Sequence, residues 1–346
     1  MDVPNALMLT QDGIINGAIY GLLALALVIV FTVTRIVLVP LGAFVSFGAL
    51  TLAVLETGER PATLWLLAAL AVGAAVARLW RARRPAERCG LRQDLLVMLL
   101  PVLLAVALTE LVHAFGGPQI LRALLALLIV LPMGPHLYDL AYRPLAQAGP
   151  LALLLASVAL HALLTGAGLV MFGAGSHRTT SLAESGLSLG PVSLGGQALV
   201  VLATTLMLGL ALFLFFQRSL AGKALRASAV SRLGARLVAI SPVQCAHVAF
   251  AMAAAIGALA GILASADTPL AHDTGFGIAL KGFLAGLVGG LTSYPLAILG
   301  ALCIGLAEGY AALAGGMGEV LVLALLLPVL LCRSWQNSRV AGESEE

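Results

Sequence analysis

The sequence predicts an all-α, polytopic transmembrane helix bundle of about 10–11 spans, and three observations carry that expectation. Of 346 residues, 61% are hydrophobic and only 10% are charged, against about 25% charged in a soluble domain that must clothe its core in polar surface. The mean hydropathy is +1.06. Apolar runs recur at the ~20 residues a helix needs to cross a bilayer. Lipid offers backbone amides no partner, so a spanning chain is helical or a closed barrel, and the alternating strand-like segments of a barrel are missing from the sequence.

The runs fall at residues 13–34, 37–56, 62–80, 94–115, 119–140, 150–173, 198–217, 243–266, 276–291, 295–314 and 317–332. Segment 276–291 is short, and the division before residue 140 is the least regular. Residues 1–346 read as one membrane domain. The opening "MDVPNALMLTQDG" has neither a basic leader nor a small-residue cleavage site, so no cleaved signal peptide is expected. Repeated small-xxx-small spacings (Gly13–Gly17–Gly21, Gly257–Gly261, Gly282–Gly286, Gly305–Gly309) let helix backbones approach closely where no hydrophobic force pulls helices together.

Orientation follows from Lys and Arg in short loops. The loop 78–92 carries Arg78, Arg81, Arg83, Arg84, Arg88 and Arg92; "AYRPL" carries Arg143; the tail 333–346 carries Arg333 and Arg339. These fall on one side, together with the segment 218–237, if the N-terminus is outside and the C-terminus cytoplasmic. The alternate loops are neutral or acidic.

Segment 218–237, "RSLAGKALRASAVSRLGARL", is the densest basic stretch. It holds Arg218, Lys223, Arg226, Arg232 and Arg236 with no acid, in a chain of net charge +3. Leu225, Ala229, Leu233 and Leu237 recur every fourth position, giving a short helix one apolar face. Gly222 is placed as its start, and Pro242 marks the return to the membrane. Two readings stand: a topological anchor touching anionic lipid, or a helix that docks into a cytoplasmic protein partner. Nucleic acid is not expected, because no aromatic residues interleave with the charges.

Here the chain resembles a family. "GKALRASAVSRLGARLVAIS" is similar to the cytoplasmic coupling segment of permeases in branched-chain amino-acid ABC transporters, whose pattern runs G-x-A-L-R-A-x-A, an acid, then A-x-x-x-G-I. Gly222, Ala224, Leu225, Arg226, Ala227, Ala229, Ala235 and Ile240 match, while Ser231 replaces the acid and Ala239 the second glycine. Further likeness lies in "DGIINGAIYGLLALAL" (12–27, with Tyr20 in register), "AYRPL", "FGAGSHRT" and "LKGFLAGLVGGLTSYPLAILGALCIGLAEG" (280–309). Two departures stand out. Leu38, Val39, Pro40 and Leu41 replace a polar N-F-A-H-G-like break of which only Gly42 survives, and residues 61–115 hold more spans than the family needs.

The resemblance implies an inner-membrane importer permease for branched-chain or related small amino acids. Its implied partners are a second permease subunit, cytoplasmic ATP-binding subunits and an extracytoplasmic solute-binding protein. It makes Arg218, Gly222, Lys223, Leu225, Arg226, Arg232 and Arg236 the contacts to the ATPase. No phosphate loop G-x-x-x-x-G-K-[ST] occurs in the sequence, so "VSLGGQ" (192–197), though like an ABC ATPase signature, is not expected to bind ATP, and the chain is not expected to be an enzyme. The outer segment 174–197, with His177, Arg178 and Glu184, either meets a solute-binding protein or caps the bundle.

Two ionisable residues fall inside spans, where insertion costs about 2.5–3.5 kcal/mol for Lys, Arg or Asp. Lys281 and Glu308 lie on antiparallel neighbours, roughly 7–9 Å below the outer surface by ~1.5 Å per residue, and are expected to pair. The pair either fixes helix register or, with Tyr20, lines the translocation path. Cys89, Cys245, Cys303 and Cys332 lack metal or disulfide spacing. His161 and His247 read as core histidines, and Glu110 with His113 is too few for a metal. No metal or cofactor is expected. Two rival functions remain: a stand-alone ion-coupled transporter or channel using Lys281 and Glu308, and a structural membrane subunit.

Overall fold

The structure, a computed structural model, describes residues 3–81, 91–115, 117–146, 148–183, 186–189, 192–291, 293–311 and 324. The expected span 317–332 apart from residue 324, the tail 333–346, Glu184, and Arg83, Arg84 and Arg88 lie outside them. The chain is an all-α polytopic bundle. Its helices are α1 (Val3–Thr34), α2 (Leu41–Glu56), α3 (Thr63–Arg81), α4 (Leu91–Phe115), α5 (Gln119–Val130) and α6 (Met133–Leu137). A π-helical turn, Tyr138–Tyr142, continues α6. There follow α7 (Pro150–Phe172), α8 (Gly196–Arg218), α9 (Leu220–Val230), α10 (Arg232–Leu237), α11 (Pro242–Ala264), α12 (Thr274–Val288) and α13 (Tyr294–Ala311). Among the described residues seven helices are long and apolar enough to cross a membrane, and three shorter apolar helices accompany them. Gln119–Tyr142 makes one span from α5, α6 and the π turn.

The centre of the bundle is α1, α2, α11, α12 and α13, packed where glycine removes side chains. A Cβ on Gly305 would overlap the Gly13 carbonyl and the Gly17 amide, so α13 lies directly on α1. A Cβ on Gly261 would overlap the Val45 carbonyl, which brings α11 equally close to α2. Small residues do here what apolar burial does in water. α7 and α8 are the opposite case, since most of their apolar residues, such as Val170 and Leu206, face outward as a lipid-facing surface would.

The apolar break after α1 is real and buried. α1 ends at Thr34, and Arg35 adopts a left-handed φ of 60°. Leu38 and Leu41 are buried, and the Val37 carbonyl accepts a hydrogen bond from Ser157 Oγ at 2.8 Å. At the other end of the bundle, segment 177–182 is laced down. His177 and Leu270 exchange backbone hydrogen bonds of 2.9 Å, and the Thr179 and Ser265 hydroxyls meet at 2.7 Å. The Thr180 amide donates to Glu56 Oε2 at 3.1 Å. A short hairpin of Leu187–Leu189 and Val192–Leu194 follows, so "VSLGGQ" is strand running into helix. These contacts tie the segment to the end of α2 and to the connection 265–273. Within it, burial raises the Asp267 carboxyl above its usual range, with Arg178 opposing and Asp12 reinforcing the shift.

Candidate functional site

Segment 218–237 is not one helix. Ser219 caps α9, its hydroxyl accepting from the Gly222 amide at 2.9 Å, and Ser231 caps α10 by accepting from the Gly234 amide at 3.1 Å. The helix therefore starts at Leu220, before Gly222. Gly222 instead permits a close approach, because a Cβ there would overlap the Phe215 carbonyl, and α9 folds back tightly on the last turn of α8. Ser231, at the position where the resembling pattern carries an acid, is the hinge between α9 and α10.

The expected single apolar face is split by that hinge. Leu225 is buried against the bundle, whereas Leu233 and Leu237 are exposed, Leu237 by 81%. Val230, exposed by 89%, and Leu220 lie open on the preceding helix. The cations divide likewise. Arg226 Nη2 donates to the Phe216 carbonyl at the end of α8, and Arg232 Nη2 to the Thr34 carbonyl at the end of α1. Both neutralise the partial negative charge of a helix C-terminus. Arg218, Lys223 and Arg236 are exposed. The segment is thus a bracket fixed to α1 and α8, with an outer surface of open aliphatic side chains edged by cations.

Mid-bundle, Lys281 Nζ lies 2.5 Å from Glu308 Oε1, and the Tyr20 hydroxyl donates to Glu308 Oε2 at 2.6 Å. The Lys281 ammonium also stands 5.6 Å from the centre of the Tyr20 ring, within reach of a cation–π attraction. The trio ties α12 and α13 to α1. Tyr20 is near the middle of α1, about 21 Å from Thr34 at ~1.5 Å per residue. α12 begins low because the connection 265–273 turns inward, so that the Gly275 amide donates to Ser46 Oγ at 3.1 Å. Beside it, a cavity of about 410 Å³ is lined by the break (Val37, Leu38, Val39, Leu41), by Leu154 and Val158 of α7, and by Phe276 and Phe283 of α12. Its walls are apolar.

A second charged cluster was not legible in the sequence. Asp139, fully buried, accepts from Arg78 Nε at 2.8 Å, lies 3.0 Å from His247 Nε2 and pairs with Arg143 Nη1 at 3.2 Å. Arg81 Nη2 donates to the Asp139 backbone carbonyl at 3.0 Å. His247 is therefore a core histidine satisfied by the network around Asp139. Arg78 and Arg143, read as topological charges, are structural as well. The one signal in the sequence was Asp139 itself, an acid three residues from His136 inside an apolar run. His161 lies tilted against Phe276 with ring centres 4.7 Å apart, and Glu110 pairs with Arg60 at 3.0 Å. Among the described residues no group of three metal-ligating side chains converges.

A family model described as the branched-chain amino acid transport system permease component matches residues 95–331. The high-affinity branched-chain amino acid transport system permease protein BraD of Pseudomonas aeruginosa is 27% identical over 240 residues, 66% of this chain and 78% of that protein. The corresponding LivH of Escherichia coli is 34% identical over 138 residues, 39% of this chain and 44% of LivH. The chain thus spans under half of LivH. No solved structure matches.

Proposed function

This chain belongs to the branched-chain amino acid transport permease family, and from that premise we propose that it is the membrane-spanning subunit of an ABC importer for branched-chain or related small amino acids. It works in a bacterial inner membrane, N-terminus outside and C-terminus cytoplasmic, beside a second permease subunit. ATP is hydrolysed on separate cytoplasmic subunits, and a solute-binding protein delivers the solute on the outer side. The observation that carries the reading is the bracket α9–α10: Leu220, Val230, Leu233 and Leu237 are open aliphatic side chains beside Arg218, Lys223 and Arg236. An apolar patch ringed by cations is the complement of a groove with acidic rims.

In this reading the seven predicted contacts divide by role. Arg218, Lys223 and Arg236 meet the ATPase. Gly222 and Leu225 seat the bracket on the bundle, and Arg226 and Arg232 fasten it to the ends of α8 and α1. Movement of the bracket then reaches the buried break at residues 35–40, next to the apolar cavity, through the bond from Arg232 to Thr34. Tyr20, Lys281 and Glu308 latch the α12–α13 hairpin to α1, so these helices move as one body.

A second reading, an ion-coupled transporter, draws on the ion pair of Lys281 and Glu308 inside the bundle. Uptake of labelled leucine into proteoliposomes holding the co-expressed complex separates the two. The importer reading expects uptake that needs internal ATP and survives collapse of proton and sodium gradients. Uptake abolished by collapsing either gradient, and indifferent to ATP, would establish the other.

A further inference from the structure

The Asp139 cluster borders a cleft of about 580 Å³ between α3, α4, the α5–α6 junction and α11. One end of it is polar, with Arg78, His136, Arg143 and His247; the walls are apolar, with Met98, Leu131 and Val248 among them. His136 is the unexplained member. It is 98% buried, lines the cleft, and neither ring nitrogen has a hydrogen-bond partner. A buried imidazole with both nitrogens unsatisfied forfeits hydrogen bonds that a bound ligand restores. Asp139 does not satisfy it, because its carboxylate is taken by Arg78, Arg143 and His247.

The placement restricts the ligand. Arg78 is in the last turn of α3, Arg143 directly follows the π turn, and Ser241 and Gln244 at the rim open α11. The polar end therefore lies at the level of the span ends, where lipid headgroups sit, and the apolar walls run from there into the bundle. We propose that the cleft holds one anionic glycerophospholipid, its phosphodiester against Arg78 and Arg143, His136 hydrogen-bonded to the headgroup or glycerol ester oxygens, and an acyl chain along Met98 and Val248. Guanidinium forks suit phosphate geometry, and basic clefts between spans are where anionic headgroups bind. Such binding needs only that the chain is in a membrane and is independent of what it transports.

The test uses delipidated full-length protein in mild detergent, titrated with dioleoylphosphatidylglycerol, dioleoylphosphatidylcholine or inorganic phosphate, with retained lipid counted by native mass spectrometry. Phosphatidylglycerol is expected to be retained and to raise the unfolding temperature, phosphatidylcholine and free phosphate much less. Gln244 is exposed at the rim, so Gln244→Glu, which adds a negative charge without disturbing the core, is expected to weaken phosphatidylglycerol binding about tenfold, and Gln244→Lys to leave it intact or strengthen it. His136→Leu is expected to lose retention while its lipid-free unfolding temperature stays level or rises, since the unsatisfied nitrogens are gone. Equal retention of both lipids, an equal response to free phosphate, or unchanged binding in both Gln244→Glu and His136→Leu would overturn the proposal.

Discussion

Among the described residues two ion-pair clusters tie helices together inside the bundle, and they are built differently. The inner one, Tyr20, Lys281 and Glu308, joins two helices of one hairpin to α1 through a single carboxylate. The other gathers three arginines and a histidine, drawn from α3, the π turn and α11, around Asp139. Lys281 and Glu308 are 16% and 22% exposed, whereas the Asp139 side chain is completely buried. Removing one partner of a buried pair leaves an uncompensated charge in a low dielectric, and that cost grows with burial. The Asp139 cluster is therefore expected to carry more of the stability of the fold than the Lys281 cluster.

The sharpest way to break this contrast is Asp139→Ala. It strands buried guanidinium groups and is expected to cost about 3–5 kcal/mol, read as a fall in unfolding temperature and in yield from the membrane. Glu308→Gln keeps a hydrogen-bond acceptor for Tyr20 and Lys281, and a smaller loss, about 1–3 kcal/mol, is expected, with the double variant Lys281→Met, Glu308→Leu recovering part of it. If the two sites lost the same stability, the distinction between them would fail. Smaller again, Ser219→Ala and Ser231→Ala remove the caps of α9 and α10 at about 1 kcal/mol each. Their effect is expected in transport more than in unfolding, because the bracket lies outside the core. The smallest concerns Asp267. A carboxyl raised in the folded state binds its proton more tightly there than in the unfolded chain, so its contribution is full below about pH 3.9 and is lost as pH rises through the folded value. Asp267→Asn is expected to remove that slope from a stability–pH profile.

The all-α bundle was legible because hydrocarbon demands long apolar helices; ten of the eleven expected runs fall on described helices, and seven of the described helices are long and apolar enough to cross a membrane. Glycine spacing foretold close backbone approach without naming the partner, and at Gly13, Gly17 and Gly305 that approach joins α1 to α13. Lys281 and Glu308 stood out as lone charges on adjoining spans. Their pairing followed from the tight turn that makes those spans antiparallel neighbours. The Asp139 cluster was hidden for another reason. Its members stand 61 and 108 residues apart, and arginines at span ends look like topological markers whether or not they face a buried acid. Periodicity likewise could not show that Ser231 divides the basic segment, because a serine reads alike within a helix and at its cap until the backbone is seen.

Docking of an ATP-binding subunit on the α9–α10 bracket is tested most directly by affinity purification from mild detergent, native beside Leu233→Asp, Leu237→Asp, Arg236→Glu. These three positions are exposed, so the variant should fold and reach the membrane at native levels. ATP-binding subunits are predicted to accompany the native chain and to be lost from the variant. ATPase subunits retained in full by the variant, or absent from both preparations, would contradict a docking role for the bracket.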